Sequence, residues 1–118
     1  MTAAGRRVVT LGETMALLRP REIGSLRHLA DLALGVGGAE SNVAIGLRRL
    51  GIDSSWLGRI GADSFGERVL REIRAEGVDA HPVVDPDART GLMVKERPTA
   101  AATVVHYYRD GSAGSRLT

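Results

Sequence analysis

Gly37-Gly38-Ala39-Glu40-Ser41-Asn42-Val43-Ala44 leads from a pair of glycines directly into a helical pattern. Across 40–50 the apolar positions Val43, Ile45, Leu47 and Leu50 fall on overlapping helical spacings, Arg48 and Arg49 lie near the carboxyl end, and Gly51 stands where a helix stops. Glycines admit backbone conformations and close ligand approach that a Cβ forbids, and the first amides of a helix favour an oxygen-rich ligand. The stretch therefore suits the docking of a polar small molecule, although an ordinary strand-to-helix turn has the same composition.

Working outward, Val8-Val9-Thr10-Leu11 is a short β-prone run ending at Gly12. Met15 to Leu18 stays apolar until Arg19 and Pro20, and together these predict an opening strand. Residues 21–30 are mixed, whereas Leu32, Leu34 and Val36 alternate with small residues as a strand would. On the far side of the helix, 54–60 reads as a buried strand ended by Gly61. Asp63 or Ser64 then caps a second helix, whose Phe65, Val69, Leu70 and Ile73 repeat at helical spacing up to Gly77. Strand alternating with helix over short connections predicts βαβ units in an α/β fold with a parallel sheet. Residues 90–95 and 103–109 then form two β-prone runs joined by a polar, alanine-rich link, a hairpin projecting from the α/β layer. The tail, 111–118, resolves no element.

Composition bounds the function. The chain has 118 residues, 43% hydrophobic and 25% charged, which is one globular domain at most and unlike a disordered chain. Only Trp56, Phe65, Tyr107 and Tyr108 are aromatic, so the core is expected to depend on Val, Leu, Ile and Ala. The net charge is +2 and the cations are interleaved with acids, which argues against a nucleic-acid partner. Cysteine is absent, excluding disulfides and thiol catalysis. No signal-like segment or long apolar run occurs, so no membrane partner and a cytoplasmic location are expected. His28, His81 and His106 share no ligand-like spacing, and Asp85 and Asp87 flank Pro86 in a turn, so no metal site is expected.

Two phosphate motifs fail on the glycine stretch. A dinucleotide fingerprint needs a glycine where Glu40 stands, and no glycine run ends in Gly-Lys-Ser/Thr. A different pattern fits. Gly38 and Asn42 continue through Ala44 and Gly51 to the run Gly61-Ala62-Asp63-Ser64-Phe65-Gly66. This resembles the first signature of the ribokinase-like (PfkB) sugar kinases. Val9-Thr10-Leu11-Gly12-Glu13 is similar to that family's opening strand and Glu76-Gly77-Val78-Asp79 to its second helix end. The segment 85–90 is similar to the entry of its lid. Glu40 departs from the small residue common in the family, but Gly-Gly-Ala-Glu and Tyr107-Tyr108-Arg109-Asp110-Gly111-Ser112-Ala113 are similar to the 2-keto-3-deoxygluconate kinase branch. The resemblance spans 8–117.

It implies the amino-terminal portion of a three-layer α/β/α sandwich with a small β lid, the lid hairpin at about 90–109. It also implies a substrate site in which Gly37 and Gly38 approach a sugar by backbone, Asn42 binds a hydroxyl, and Tyr107 and Arg109 reach the acidic end. The chemistry agrees, because a guanidinium binds a carboxylate through two charge-assisted bonds. On a strand Tyr107 and Tyr108 point to opposite faces, so one is expected to pack, while Arg109 also reads as a solvated strand end. Met93 stands where the branch tends to carry a tyrosine. The family's late Gly-Ala-Gly-Asp motif does not occur, and Asp63 reads as a helix cap instead. The expectation is therefore a partial domain whose carboxy-terminal ATP-binding and catalytic part is absent, inactive alone and marginally stable. ATP and Mg²⁺ are implied for the complete kinase, as is a homodimer through the lid strands. A fructokinase or nucleoside-type kinase is the alternative within the class, and a non-catalytic sugar-binding or interaction module is the alternative outside it.

Overall fold

The computed structural model describes residues 7–116, so Leu117 and Thr118, which the reading of the tail included, lie outside the described residues. The order is β1 (Val8–Leu11), β2 (Met15–Arg19), β3 (Ala33–Gly37), α1 (Ala39–Arg49), β4 (Ser54–Gly61), α2 (Ser64–Ala75), β5 (Asp79–Asp85), β6 (Leu92–Thr99), β7 (Ala102–Tyr108) and a 3₁₀ turn at Gly114–Arg116. Both helices match their sequence patterns. Gly51 and Gly77 follow them with φ of 83° and 80°, the left-handed conformation that ends a helix and that a Cβ disfavours.

The strands form two sheets. One is fully parallel in the order β1-β4-β5, and α1 and α2 pack on it as βαβ crossovers. The other is mixed, in the order β3-β2-β6-β7. Three expectations are corrected here. The opening strand is two strands, because Gly12-Glu13-Thr14 turns the chain out of the parallel sheet and into the mixed one. The hairpin is not an isolated projection: β6 runs parallel to β2, so β2 and β3 complete a four-stranded lid. β6 also continues to Thr99, past Lys95, so the turn to Ala102 is tight. The residues of 21–30 are held on this lid, where the Gly24 amide bonds Arg97 O at 2.7 Å and the Leu26 amide bonds Glu96 Oε2 at 3.0 Å.

β5 had no counterpart in the sequence reading, since Pro82 interrupts its β-prone run. Proline is tolerated because, among the described residues, β5 is an edge strand paired with β4 alone. Of the expected three layers, the described residues build the sheet and one helix layer. Trp56 and Ile60 of β4, Ala80 of β5, Ala44 of α1 and Val69 and Ile73 of α2 bury together. Trp56 is the largest wholly buried side chain, so the core is centred on an aromatic rather than on aliphatics alone. Val9, Leu11 and Val83 are exposed. Among the described residues no helix is long and apolar enough to cross a membrane.

Candidate functional site

β3 belongs to the lid while α1 packs on the parallel sheet, so the junction Gly37-Gly38 joins the two layers. The start of α1 consequently faces the inner surface of the lid across a cleft of about 620 Å³. Gly37, Gly38, Asn42, Tyr107 and Arg109 all line it, so the five residues singled out from sequence converge in space from two segments far apart in the chain.

Each position has a local cause. Gly38 is extended, with φ of 178°, so left-handed freedom is not what demands glycine there. A Cβ would lie 2.7 Å from Glu13 O and 2.9 Å from Thr14 Oγ1, so close packing of α1 on the β1–β2 link requires its absence. A Cβ on Gly37 would lie 2.5 Å from Met93 Cε, which reaches into the room the glycine leaves. Gly38 supplies no side-chain cap, and the first amides of α1 have no acceptor within the helix, the usual condition for recruiting a ligand oxygen. Ser41 Oγ donates to Gly38 O at 3.1 Å and fixes the turn, while Asn42 remains exposed in the first helical turn. Thr14 Oγ1 is buried beside Gly38 without a hydrogen-bond partner among the described residues.

On the lid, register places Met93 opposite Tyr107 and Lys95 opposite Val105, and these four residues line the cleft. Leu92 and Tyr108 border a second cavity of about 630 Å³ instead; Tyr107 and Arg109 reach it too, but Gly37, Gly38 and Asn42 do not. Tyr107 and Tyr108 are 54% and 63% exposed, which corrects the expectation that one of them packs: both faces of the outermost lid strand are open in the described chain. The Arg109 guanidinium carbon lies 4.8 Å from the centroid of the Tyr107 ring, and its Nη1 is 3.9 Å from Glu13 Oε1. Glu13 Oε2 accepts from Ser112 Oγ at 2.6 Å, and the Ala113 amide bonds Arg89 O at 2.7 Å, so the loop that follows Arg109 is tied to the β1–β2 link and to the β5–β6 link.

Asp63 is the helix cap that its sequence position suggested, with Oδ1 accepting from the Gly66 amide at 2.8 Å. It also accepts from the Thr90 amide at 3.0 Å and the Thr90 hydroxyl at 2.7 Å, joining α2 to the base of the lid. Burial raises its pKa, but the Thr90 and Gly66 bonds and the charge of Arg89 outweigh burial and hold it below the ordinary aspartate value. Asp85, read as part of a turn, ends β5 with its side chain buried. It accepts from the Asp87 amide at 2.8 Å and from Arg59 Nε at 3.1 Å, and the first of these is the chief cause of its lowered pKa.

Glu13, Glu40 and Lys95 also line the cleft, and the sequence reading did not assign them to it. For Lys95 a signal was present, since Met93 and Lys95 alternate on one face of a strand. For Glu40 a signal was present too, since it stands inside the 37–44 stretch read as a docking segment; for Glu13 there was none, because its approach depends on how the two sheets are set together. Among the described residues no three His, Asp or Glu side chains gather as a metal site.

Comparison with known proteins adds a frame. The model of the pfkB family carbohydrate kinases matches residues 6–116. The 2-dehydro-3-deoxygluconokinase of Bacillus subtilis is 41% identical over 112 residues, covering 93% of this chain and 35% of that protein. A fructokinase of Zea mays is 37% identical over 119 residues, covering 98% and 37%. Among solved structures, a PfkB protein from Polaromonas superposes with a TM-score of 0.88 at 41% identity, covering 94% of this chain and 38% of that one. An uncharacterized sugar kinase from Pyrococcus horikoshii, solved in complex with ATP, gives 0.82 at 32% identity, covering 90% and 35%. The chain thus spans about a third of the length of the relatives it matches.

Proposed function

The chain belongs to the pfkB family of carbohydrate kinases, and we propose that it is the substrate-binding part of an ATP-dependent kinase for a sugar acid, 2-keto-3-deoxygluconate in the first place. The observation that carries this reading is the convergence of Gly37, Gly38 and Asn42 with Tyr107 and Arg109 on one cleft. The glycine backbone and Asn42 would take sugar hydroxyls. Tyr107 and Arg109 would take the carboxylate, with the guanidinium held between the Tyr107 ring and Glu13. The likeness to a 2-dehydro-3-deoxygluconokinase supports the choice of acid.

Residues 90–109 would act as the lid hairpin, closing over the sugar and excluding water from it. The described residues do not fit a nucleotide and its cation: no triphosphate cradle of the Gly-Lys-Ser/Thr kind and no cluster of metal-ligating side chains is present. We therefore assign ATP and Mg²⁺ to the remaining part of the complete kinase and no step of phosphoryl transfer to this chain. A cytoplasmic location and a homodimer through the lid belong to the same proposal, the latter supported by the open outer strand β7 with Val104 and Tyr108 exposed.

A fructokinase is the second reading, favoured by Met93, an apolar side chain in the cleft, and by the likeness to the maize enzyme. The experiment is ATP-dependent phosphorylation by the complete protein across sugar acids and neutral sugars, with Arg109→Ala alongside. A charge-assisted pair is worth about 1.5–3 kcal/mol, so the variant should lose about ten- to a hundredfold in affinity for the acid and little for fructose. Unchanged affinity for the acid in the Arg109→Ala protein would reject the assignment.

A further inference from the structure

The cleft is lined by two carboxylates, Glu13 and Glu40, and two cations, Arg109 and Lys95. Arg109 already has Glu13 beside it at 3.9 Å, whereas Lys95 makes no ion pair or side-chain hydrogen bond with another described residue. Lys95 is the only lysine among the 118 residues, and it stands half-buried on a lid face that also offers Leu17, Met93, Val105 and Tyr107. An ammonium held against apolar neighbours without a counter-ion gains most from an anion brought into the same space.

The register places that anion. Lys95 pairs with Val105, four residues before Arg109, so the two backbones are about 13 Å apart along the strand. The guanidinium does not extend away from Lys95, because it folds back over the ring of Tyr107. Tyr107 is paired with Met93 and is thus a diagonal neighbour of Lys95, within about 7–8 Å. Guanidinium, phenol and ammonium follow one another along one face of the lid, opposite the glycines. Without Lys95 the lining would carry one net negative charge and would oppose an acid.

We infer that Lys95 is a specificity-determining residue of this cleft, a second cation that holds the carboxylate of a sugar acid jointly with Arg109 and so separates acids from neutral sugars. The inference rests on the sugar-acid reading above and goes beyond it by naming the residue that sets the preference.

The test is calorimetric binding of 2-keto-3-deoxygluconate and of fructose to the complete protein, as wild type, Lys95→Met, Lys95→Arg and Arg109→Ala. Lys95→Met is expected to weaken the acid by about tenfold or more and fructose by less than about twofold, with Lys95→Arg restoring most of the loss. Acid affinity unchanged in Lys95→Met but weakened in Arg109→Ala overturns the role of Lys95 and leaves the sugar-acid reading intact. No acid binding by the wild type, or no effect of Arg109→Ala, overturns both. Equal losses for acid and fructose in Lys95→Met overturn the specificity claim. A second measurement needs no variant: acylation of Lys95 by N-hydroxysuccinimidyl acetate, followed by peptide mass, should be slowed by saturating sugar acid, and an unchanged rate overturns the contact.

Discussion

Replacing Asp63 by alanine tests the joint between the helix layer and the lid. The carboxylate receives three bonds, from the Gly66 amide at 2.8 Å, the Thr90 amide at 3.0 Å and the Thr90 hydroxyl at 2.7 Å. The same hydroxyl accepts from the Gly61 amide at 2.9 Å. Gly66 and Thr90 are buried, so their donors would have no ready access to water after the change. Loss of a cap costs about 1 kcal/mol and each stranded buried donor about 1–3 kcal/mol. Asp63 itself is partly exposed, which lets water replace some of this, so a loss of about 2–3 kcal/mol is expected. Urea unfolding followed through Trp56, the only tryptophan in the 118 residues and wholly buried, should show a midpoint lower by about 1–1.5 M for a slope near 2 kcal/mol/M. The acid limb supplies an independent check. Because the folded pKa of Asp63 is lowered, its contribution is complete above the unfolded aspartate value, near 4, and is lost as pH falls through the folded value. Asp63→Asn should therefore show a shallower fall of stability below about pH 4 than the wild type. A midpoint shift under about 0.3 M for Asp63→Ala, with an unaltered acid limb in Asp63→Asn, would refute the idea that this carboxylate joins the layers.

The remaining predictions concern the glycine junction, the core and the two cations. Gly38→Ala should destabilise by about 1–3 kcal/mol and weaken sugar binding, since its Cβ meets the Glu13 carbonyl backbone; thermal melting and calorimetry check both. Trp56→Ala should cost about 3–5 kcal/mol by chemical unfolding. Trp56→Phe should cost less, because the indole N–H has no partner among the described residues to lose. Arg109→Ala and Lys95→Met are expected to weaken acid binding while sparing fructose, as set out above.

Much of the fold was legible because its signals are local. The 3.6-residue spacing of α1 and α2, the Asp63 cap and the stops at Gly51 and Gly77 depend on neighbours within one or two turns, and each appears where its pattern lies. The Gly37-Gly38 turn was legible as a candidate site, and the family resemblance supplied its partners Tyr107 and Arg109 from far along the chain. β5 was missed because Pro82 argues against a strand unless the strand lies at an edge, and edge position is a property of the sheet. Trp56 was not recognised as a core residue for a related reason: scarcity of aromatics says nothing about which of the four is buried.

The sequence by itself determined the alternation of strand and helix, the caps and stops, and the residue types able to bind a hydroxylated anion. Tertiary structure alone decided that β2 and β3 leave the parallel sheet for the lid, that Glu13 reaches Arg109 and Ser112 across nearly the whole chain, and that Lys95 shares a face with Tyr107 in the cleft. The division has a physical cause. Helix periods and caps are set by short-range sterics and hydrogen bonds written within a few residues, whereas sheet order and the meeting of distant charges follow from burying two sheets and two helices together, which no local stretch encodes.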